Sequence, residues 1–323
     1  MRISKAWIMV WVFIGGGLLP PLSWSEEKDT MPESAEKVVR PAHGAGKWYP
    51  GRGSELKEMV EGYIEAAQVP QIPGVIVGAI APHAGYVYSG KTAGYTFRAI
   101  RDNAAAGHRP DTVVVLGLSH RGGFLGTALM DGDAIETPLG EAPLDRESAR
   151  ALTAASPSVF FDYAPHRGEH SAENEIPFVQ AALPGVGLVV GIMGDHAPRT
   201  IDDLVQALTA LAEQKRVLVI ASSDMLHHPD YELVTKTDTK TLEKIARMDD
   251  AAVERNWGPS HQIFCGIGPV LVTMRYAASL GCKKGVVLTY CNSGDDFPES
   301  RGRWVVGYGS AVFAVPEQTK RQN

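Results

Sequence analysis

His83, His120, Asp224, His227 and Cys265 are the groups in this 323-residue chain whose chemistry could bind a metal or move a proton. They stand in Pro82-His83-Ala84-Gly85-Tyr86, in Ser119-His120, in Ser222-Ser223-Asp224 with His227 close behind, and in Cys265-Gly266. The intervals between them are long, so no short metal-binding motif joins them. Imidazole with thiolate suits iron, copper or zinc, and two imidazoles with one anionic ligand leave coordination positions open for a substrate or for oxygen. A carboxylate beside an imidazole, as Asp224 and His227 offer, can fix the ring's tautomer or work with it as an acid/base pair. Plainer uses stand beside these. A His after Pro at a strand end commonly makes a loop hydrogen bond, and a lone Cys is often a small buried hydrophobe. Glu169-His170-Ser171 could line the same pocket or simply cap a helix. Asp195-His196 and His261 sit in polar loops that need no further explanation. Ser119, Ser222 and Ser223 offer hydroxyls, but the chain has no Gly-x-Ser-x-Gly elbow to expose one, which ranks a serine hydrolase low.

What unites these residues is the kind of element that precedes them. Val75 to Ala81, Thr112 to Leu118, Val186 to Met193 and Arg216 to Ala221 are short apolar runs rich in β-branched residues, each ending in a polar loop. Continuous apolar runs separated by helical segments predict buried parallel strands, whose carboxyl ends share one edge of a sheet. Open α/β sheets place their sites at that edge. Polar groups gathered there would desolvate one another without a partner. The pattern predicts helices from Ser54 to Gln68, Tyr86 to Asn103, Arg146 to Ala155 behind Asp145, Ser171 to Leu183 and Thr200 to Gln214. It predicts further helices over Thr239 to Met248, Asp249 to Asn256 and Cys265 to Leu280. Phe124 to Met130 reads as another strand, and Gly285 to Tyr290 with Trp304 to Val315 as a hairpin with a long loop. Cys265 at the start of a helix would have its thiolate favoured by the helix dipole.

A net charge of −6 with no clustered Lys/Arg stripe excludes nucleic acid as a partner. Arg2 and Lys5 before the apolar run Ala6 to Leu19, followed by Ser23-Trp24-Ser25, match a signal peptide over 1–25. The expected organisation is that peptide, a polar linker over 26–37, a single α/β domain over 38–316 and a polar tail over 317–323. Export to the periplasm or the outside follows, with no stable membrane span after cleavage; an uncleaved N-terminal anchor is the alternative. Cys265, Cys282 and Cys291 make an odd number. A strand between Cys282 and Cys291 would hold them roughly 20 Å apart, too far for a disulfide.

Pro82-His83-Ala84-Gly85-Tyr86, Ser119-His120, Glu169-His170-Ser171 with Glu173, Ser222-Ser223-Asp224 with His227, and Cys265-Gly266, in this order, resemble the Memo family, known in prokaryotes as the AmmeMemoRadiSam system protein B. The resemblance covers about residues 38 to 315. It implies a fold similar to the catalytic subunit of class III extradiol dioxygenases: a three-layer α/β arrangement around a mostly parallel mixed sheet. It also implies a non-haem metal held by His83, His120 and Cys265, with Asp224 and His227, the candidate acid/base groups, beside it. Tyr86, Glu169, His170 and Glu173 then line or back the pocket. The extradiol enzymes use a carboxylate as the third ligand, so a cysteine there softens the site; the metal expected is iron or copper, with zinc ranked below them. The activity implied is that of a metal-dependent oxidoreductase or dioxygenase-like enzyme on an unidentified small molecule. The alternative is a non-catalytic metal-binding or peptide-recognition protein. An exported copy would work apart from the cytosolic radical enzyme that accompanies prokaryotic members.

Overall fold

Runs of β-branched residues form the middle of the fold. The computed structural model describes residues 37–317; the expected signal peptide, the linker up to residue 36 and the tail from 318 lie outside the described residues. In chain order the elements are β1 (Val39–Pro41), α1 (Gly53–Ala66), β2 (Val75–Ala81), α2 (Tyr86–Asn103), β3 (Thr112–Leu118), β4 (Thr127–Leu129), β5 (Ala134–Thr137), β6 (Gly140–Pro143), α3 (Arg146–Ala155) and β7 (Val159–Phe161). They continue with α4 (Ile176–Ala182), β8 (Gly187–Met193), α5 (Pro198–Ala212), β9 (Val217–Ser222), β10 (His227–His228), α6 (Tyr231–Ala246), α7 (Asp250–Asn256), α8 (Ile267–Ser279), β11 (Gly285–Asn292) and β12 (Val305–Val315).

The main sheet runs β10-β12-β2-β9-β3-β8-β4-β7, with β11 also paired to β12. Its centre, β2-β9-β3-β8, is parallel throughout, whereas β12 on β2 and β4 on β8 are antiparallel. A smaller sheet, β1-β5-β6, flanks it. Successive side chains of a strand point to opposite faces. Val113 and Val115 of β3 therefore join one core with Leu56 and Val60 of α1, Phe97 of α2 and Phe178 of α4. Val114 and Leu116 join the other with Leu152 of α3, Leu204 and Leu208 of α5 and Val270 of α8. Helices thus cover both faces and make three layers, which is why the central strands read as unbroken apolar runs. Truncating Leu116 to Ala in such a core costs about 2–5 kcal/mol. No helix among the described residues is long and apolar enough to cross a membrane.

Several local expectations are corrected. Helix α1 starts at Gly53, one residue before the expected Ser54, with Arg52 ahead of it and no side-chain capping bond, and ends at Ala66 rather than Gln68. The helix expected from Ser171 is a short 3-10 turn, Glu173–Glu175, followed by α4, because the Ser171 hydroxyl is bound to Leu118 on β3 instead. Helix α6 begins at Tyr231 rather than Thr239, since Asp230 caps it by accepting from the Leu233 N–H at 3.1 Å. Strand β4 is confined to Thr127–Leu129. The Gly285 and Trp304 runs do pair antiparallel, as β11 and β12.

Candidate metal centre

The loops after β2, β3 and β9 deliver His83, His120 and Asp224 to one edge, and the turn before α4 brings His170 onto them. Ring nitrogens of His83, His120 and His170 lie within 4.8 Å of one another. The His120 and His170 rings stack at 4.7 Å with 18° between planes, and His83 stands nearly perpendicular to both, 5.4 and 5.5 Å away. Glu169 ties the group together. Its Oε2 accepts from the His120 N–H at 2.8 Å; its Oε1 accepts from the His120 ring at Nδ1 and from the His170 and Ser171 N–H groups, all at 2.9 Å. Burial opposes the charge on Glu169, but these bonds outweigh it and bring the carboxyl down to about 2. A carboxylate can only accept, so the His120 ring donates to it from Nδ1.

His83 is buried, and burial first, then the nearby His120, pushes its imidazole down to about 3. Burial with the two neighbouring rings does the same for His170, also to about 3. Both rings are neutral at physiological pH, the form that ligates metal. Three imidazoles around one point fit a transition metal, and among the described residues this histidine group could hold one.

Cys265 borders the group, its Sγ 3.4 Å from His83 Nε2 and 3.5 Å from Ser223 Oγ. The expectation that a helix dipole favours its thiolate does not hold. Helix α8 begins two residues later, and burial, aided by Asp224, pushes the thiol up to about 12. All three cysteines are free thiols. Asp224 is buried, and its Oδ1 accepts from the His83 and Ala84 N–H groups at 2.9 and 3.2 Å, which fixes the loop that carries His83. Its Oδ2 is 3.9 Å from His83 Nε2. Burial raises Asp224 above its ordinary value against the pull of His227, and lowers His227 against the pull of Asp224. His227 Nε2 is buried and makes no hydrogen bond to the described residues.

Of the remaining expected residues, Tyr86 donates to the Asn174 carbonyl at 2.6 Å, and the Asn174 amide donates to the His83 carbonyl at 2.7 Å. Glu173 accepts from the His43 and Gly44 N–H groups and from Tyr49 Oη, so it clamps the 43–49 loop rather than the histidines. That loop carries a residue the sequence reading passed over: Trp48 lies flat on His170, 3.8 Å between ring centres at 4°. An aromatic in a Gly/Pro-rich loop was the available signal. His196 packs edge-on against Trp257, and Asp195 ties Gly126 and Ala197, so both serve the loop.

Two cavities flank the group. One of about 460 Å³ is lined by His120, His227, Cys265, His196 and Trp257. The other, about 630 Å³ and more apolar, is walled by Trp48, Tyr88, Phe297, Trp304 and Tyr308.

Residues 40–312 match the family described as Memo-like protein. A MEMO1 family protein of Pyrobaculum aerophilum is 33% identical over 286 residues, covering 86% of this chain and 99% of its own. One of Methanopyrus kandleri is 32% identical over 282 residues, covering 83% of this chain and 96% of its own. Among solved structures, an uncharacterized protein of Escherichia coli K12 aligns with a TM-score of 0.44 at 15% identity, over 73% of this chain and 99% of that one.

Proposed function

The chain belongs to the Memo-like family, and from that premise we propose that it is an exported metal-dependent oxidoreductase or dioxygenase-like protein whose histidine group holds iron or copper. The observation that carries this reading is the convergence of His83, His120 and His170 nitrogens within 4.8 Å, with two of the rings kept neutral by burial. When bound, the metal supplies Lewis-acid and one-electron chemistry. The chain's own residues do the rest. Glu169 orients His120 and carries a compensating negative charge. Cys265, a thiol at neutral pH, releases its proton if it joins the ligands. His227, with Nε2 uncommitted beside the smaller cavity, can exchange a proton with a molecule held there. Asp224 holds the His83 loop and faces His227 with its charge. The apolar cavity takes the unreactive body of a small molecule. Export rests on the pattern of Arg2, Lys5 and the apolar run up to Leu19, and an exported site meets copper more readily than reduced iron.

A second reading, a metal-binding or peptide-recognition protein without turnover, is favoured by the exposed aromatics Trp48, Tyr88 and Trp304 around that cavity. Elemental analysis of protein purified from its own compartment tests the first step. Stoichiometric iron or copper, lost in His83→Ala and His170→Ala, is expected; no metal in the parent protein and none taken up anaerobically would overturn the reading. Oxygen consumption by loaded protein, abolished in His227→Ala with metal retained, separates the two: a fully loaded protein that consumes no oxygen with any substrate offered favours recognition.

A further inference from the structure

Ser222, the last residue of β9, has one hydroxyl proton and three polar neighbours. Its Oγ lies 2.5 Å from the Ser171 carbonyl oxygen, 2.7 Å from Glu175 Oε1 and 3.0 Å from His83 Nδ1. A carbonyl oxygen can only accept, so at the shortest of these separations the Ser222 proton goes to Ser171. The other two neighbours must then bring their own protons, His83 on Nδ1 and Glu175 on a neutral carboxyl. An ionised Glu175 that took the Ser222 proton would leave the hydroxyl and carbonyl oxygens facing each other at 2.5 Å with no hydrogen between them. Burial agrees with the count. Glu175 is 1% exposed, its Oε2 meets no donor among the described residues, and no cation of the described residues pairs with it. Burial drives its carboxyl well above the ordinary range, and Asp224 pushes it further.

We propose that Glu175 is a neutral, proton-donating positioning residue which, through Ser222, holds His83 with its proton on Nδ1 and turns the Nε2 lone pair toward His120, His170 and Cys265. The two strand-end histidines are then backed differently. His120 faces an ionised carboxylate, which strengthens it as a donor, whereas His83 faces the Ser222 hydroxyl with a neutral acid behind it, which adds no further negative charge to the site. The consequence for metal affinity rests on the metal reading above; the protonation pattern does not.

The test is made first on the metal-free parent protein. Nitrogen-15 NMR of the histidines at neutral pH is expected to show the His83 proton on Nδ1, and infrared difference spectroscopy a protonated carboxyl band lost in Glu175→Gln. Burial also pushes Asp238 up, to about 8, but its band persists in that variant. Ser222→Ala removes the acceptor, so His83 is expected to populate both tautomers and Co(II) to bind roughly 10–100-fold more weakly. Glu175→Gln, whose amide N–H donates the same bond, is expected to keep the Nδ1–H tautomer and the parent affinity for Co(II). A proton found on His83 Nε2 in the parent, or no carboxyl band lost in Glu175→Gln, overturns the proposal. If Co(II) does not bind the parent while both spectroscopic signatures are present, the metal reading fails and the proposal stands.

Discussion

Substituting Gly117 tests whether the turn that carries His170 is seated by β3. A Cβ built on Gly117 would lie 2.4 Å from Ser171 Oγ, 2.6 Å from the backbone nitrogen of Ala172 and 3.1 Å from its Cβ. Carbon contacts to backbone settle near 3.5 Å, so in Gly117→Ala the 171–172 backbone must retreat by roughly 1 Å. The Ser171 hydroxyl now holds β3 through the Leu118 carbonyl at 2.8 Å and its N–H at 3.1 Å. Both bonds break on such a retreat. Overpacking costs about 1–3 kcal/mol and each lost bond about 1 kcal/mol, so a destabilisation of about 3–5 kcal/mol is expected in urea unfolding. The same shift pulls Glu169 from His120, 2.9 Å away, and should weaken Co(II) binding roughly 10–100-fold. Gly62→Ala is the control: it sits on α1 where an added Cβ meets nothing, and a gain of about 0.5–1 kcal/mol is expected. A folded Gly117→Ala protein that binds Co(II) as tightly as the parent would refute the coupling between β3 and the turn.

Glu169→Gln keeps the shape but replaces an ionised acceptor serving one ring and three backbone N–H groups. A loss of about 1.5–3 kcal/mol is expected in unfolding, with a weakened metal titration; unchanged values in both would show that the charge is unimportant. In the metal-free protein His83 and His170 are bases whose folded values, about 3, lie below the ordinary 6.5. Between those values the unfolded chain binds more protons, so stability falls as pH falls, by roughly 1.4 kcal/mol per pH unit for each ring. The contribution is complete above pH 6.5 and gone near pH 3. Unfolding measured across that window should show this slope, reduced by one ring in His170→Ala; a flat profile would mean that the rings are not held neutral.

The central strands were legible in the sequence because β-branched runs broken by Pro and Gly are local signals. Parallel order followed from the helical segments between them, and β2, β9, β3 and β8 do carry His83, Asp224 and His120 to one edge. The exact span of α2 and the Asp145 cap of α3 were local in the same sense. His170 as the third nitrogen was not, because nothing near it in the chain says that its turn docks on Gly117, some fifty residues earlier. Trp48 over His170 and Glu175 behind Ser222 depend on the same long-range closure. Cys265 shows the division most directly. Its neighbours in sequence promise a helix start that would favour the thiolate, but its protonation is set by burial and by Asp224, and burial exists only when distant strands and helices have closed around the site.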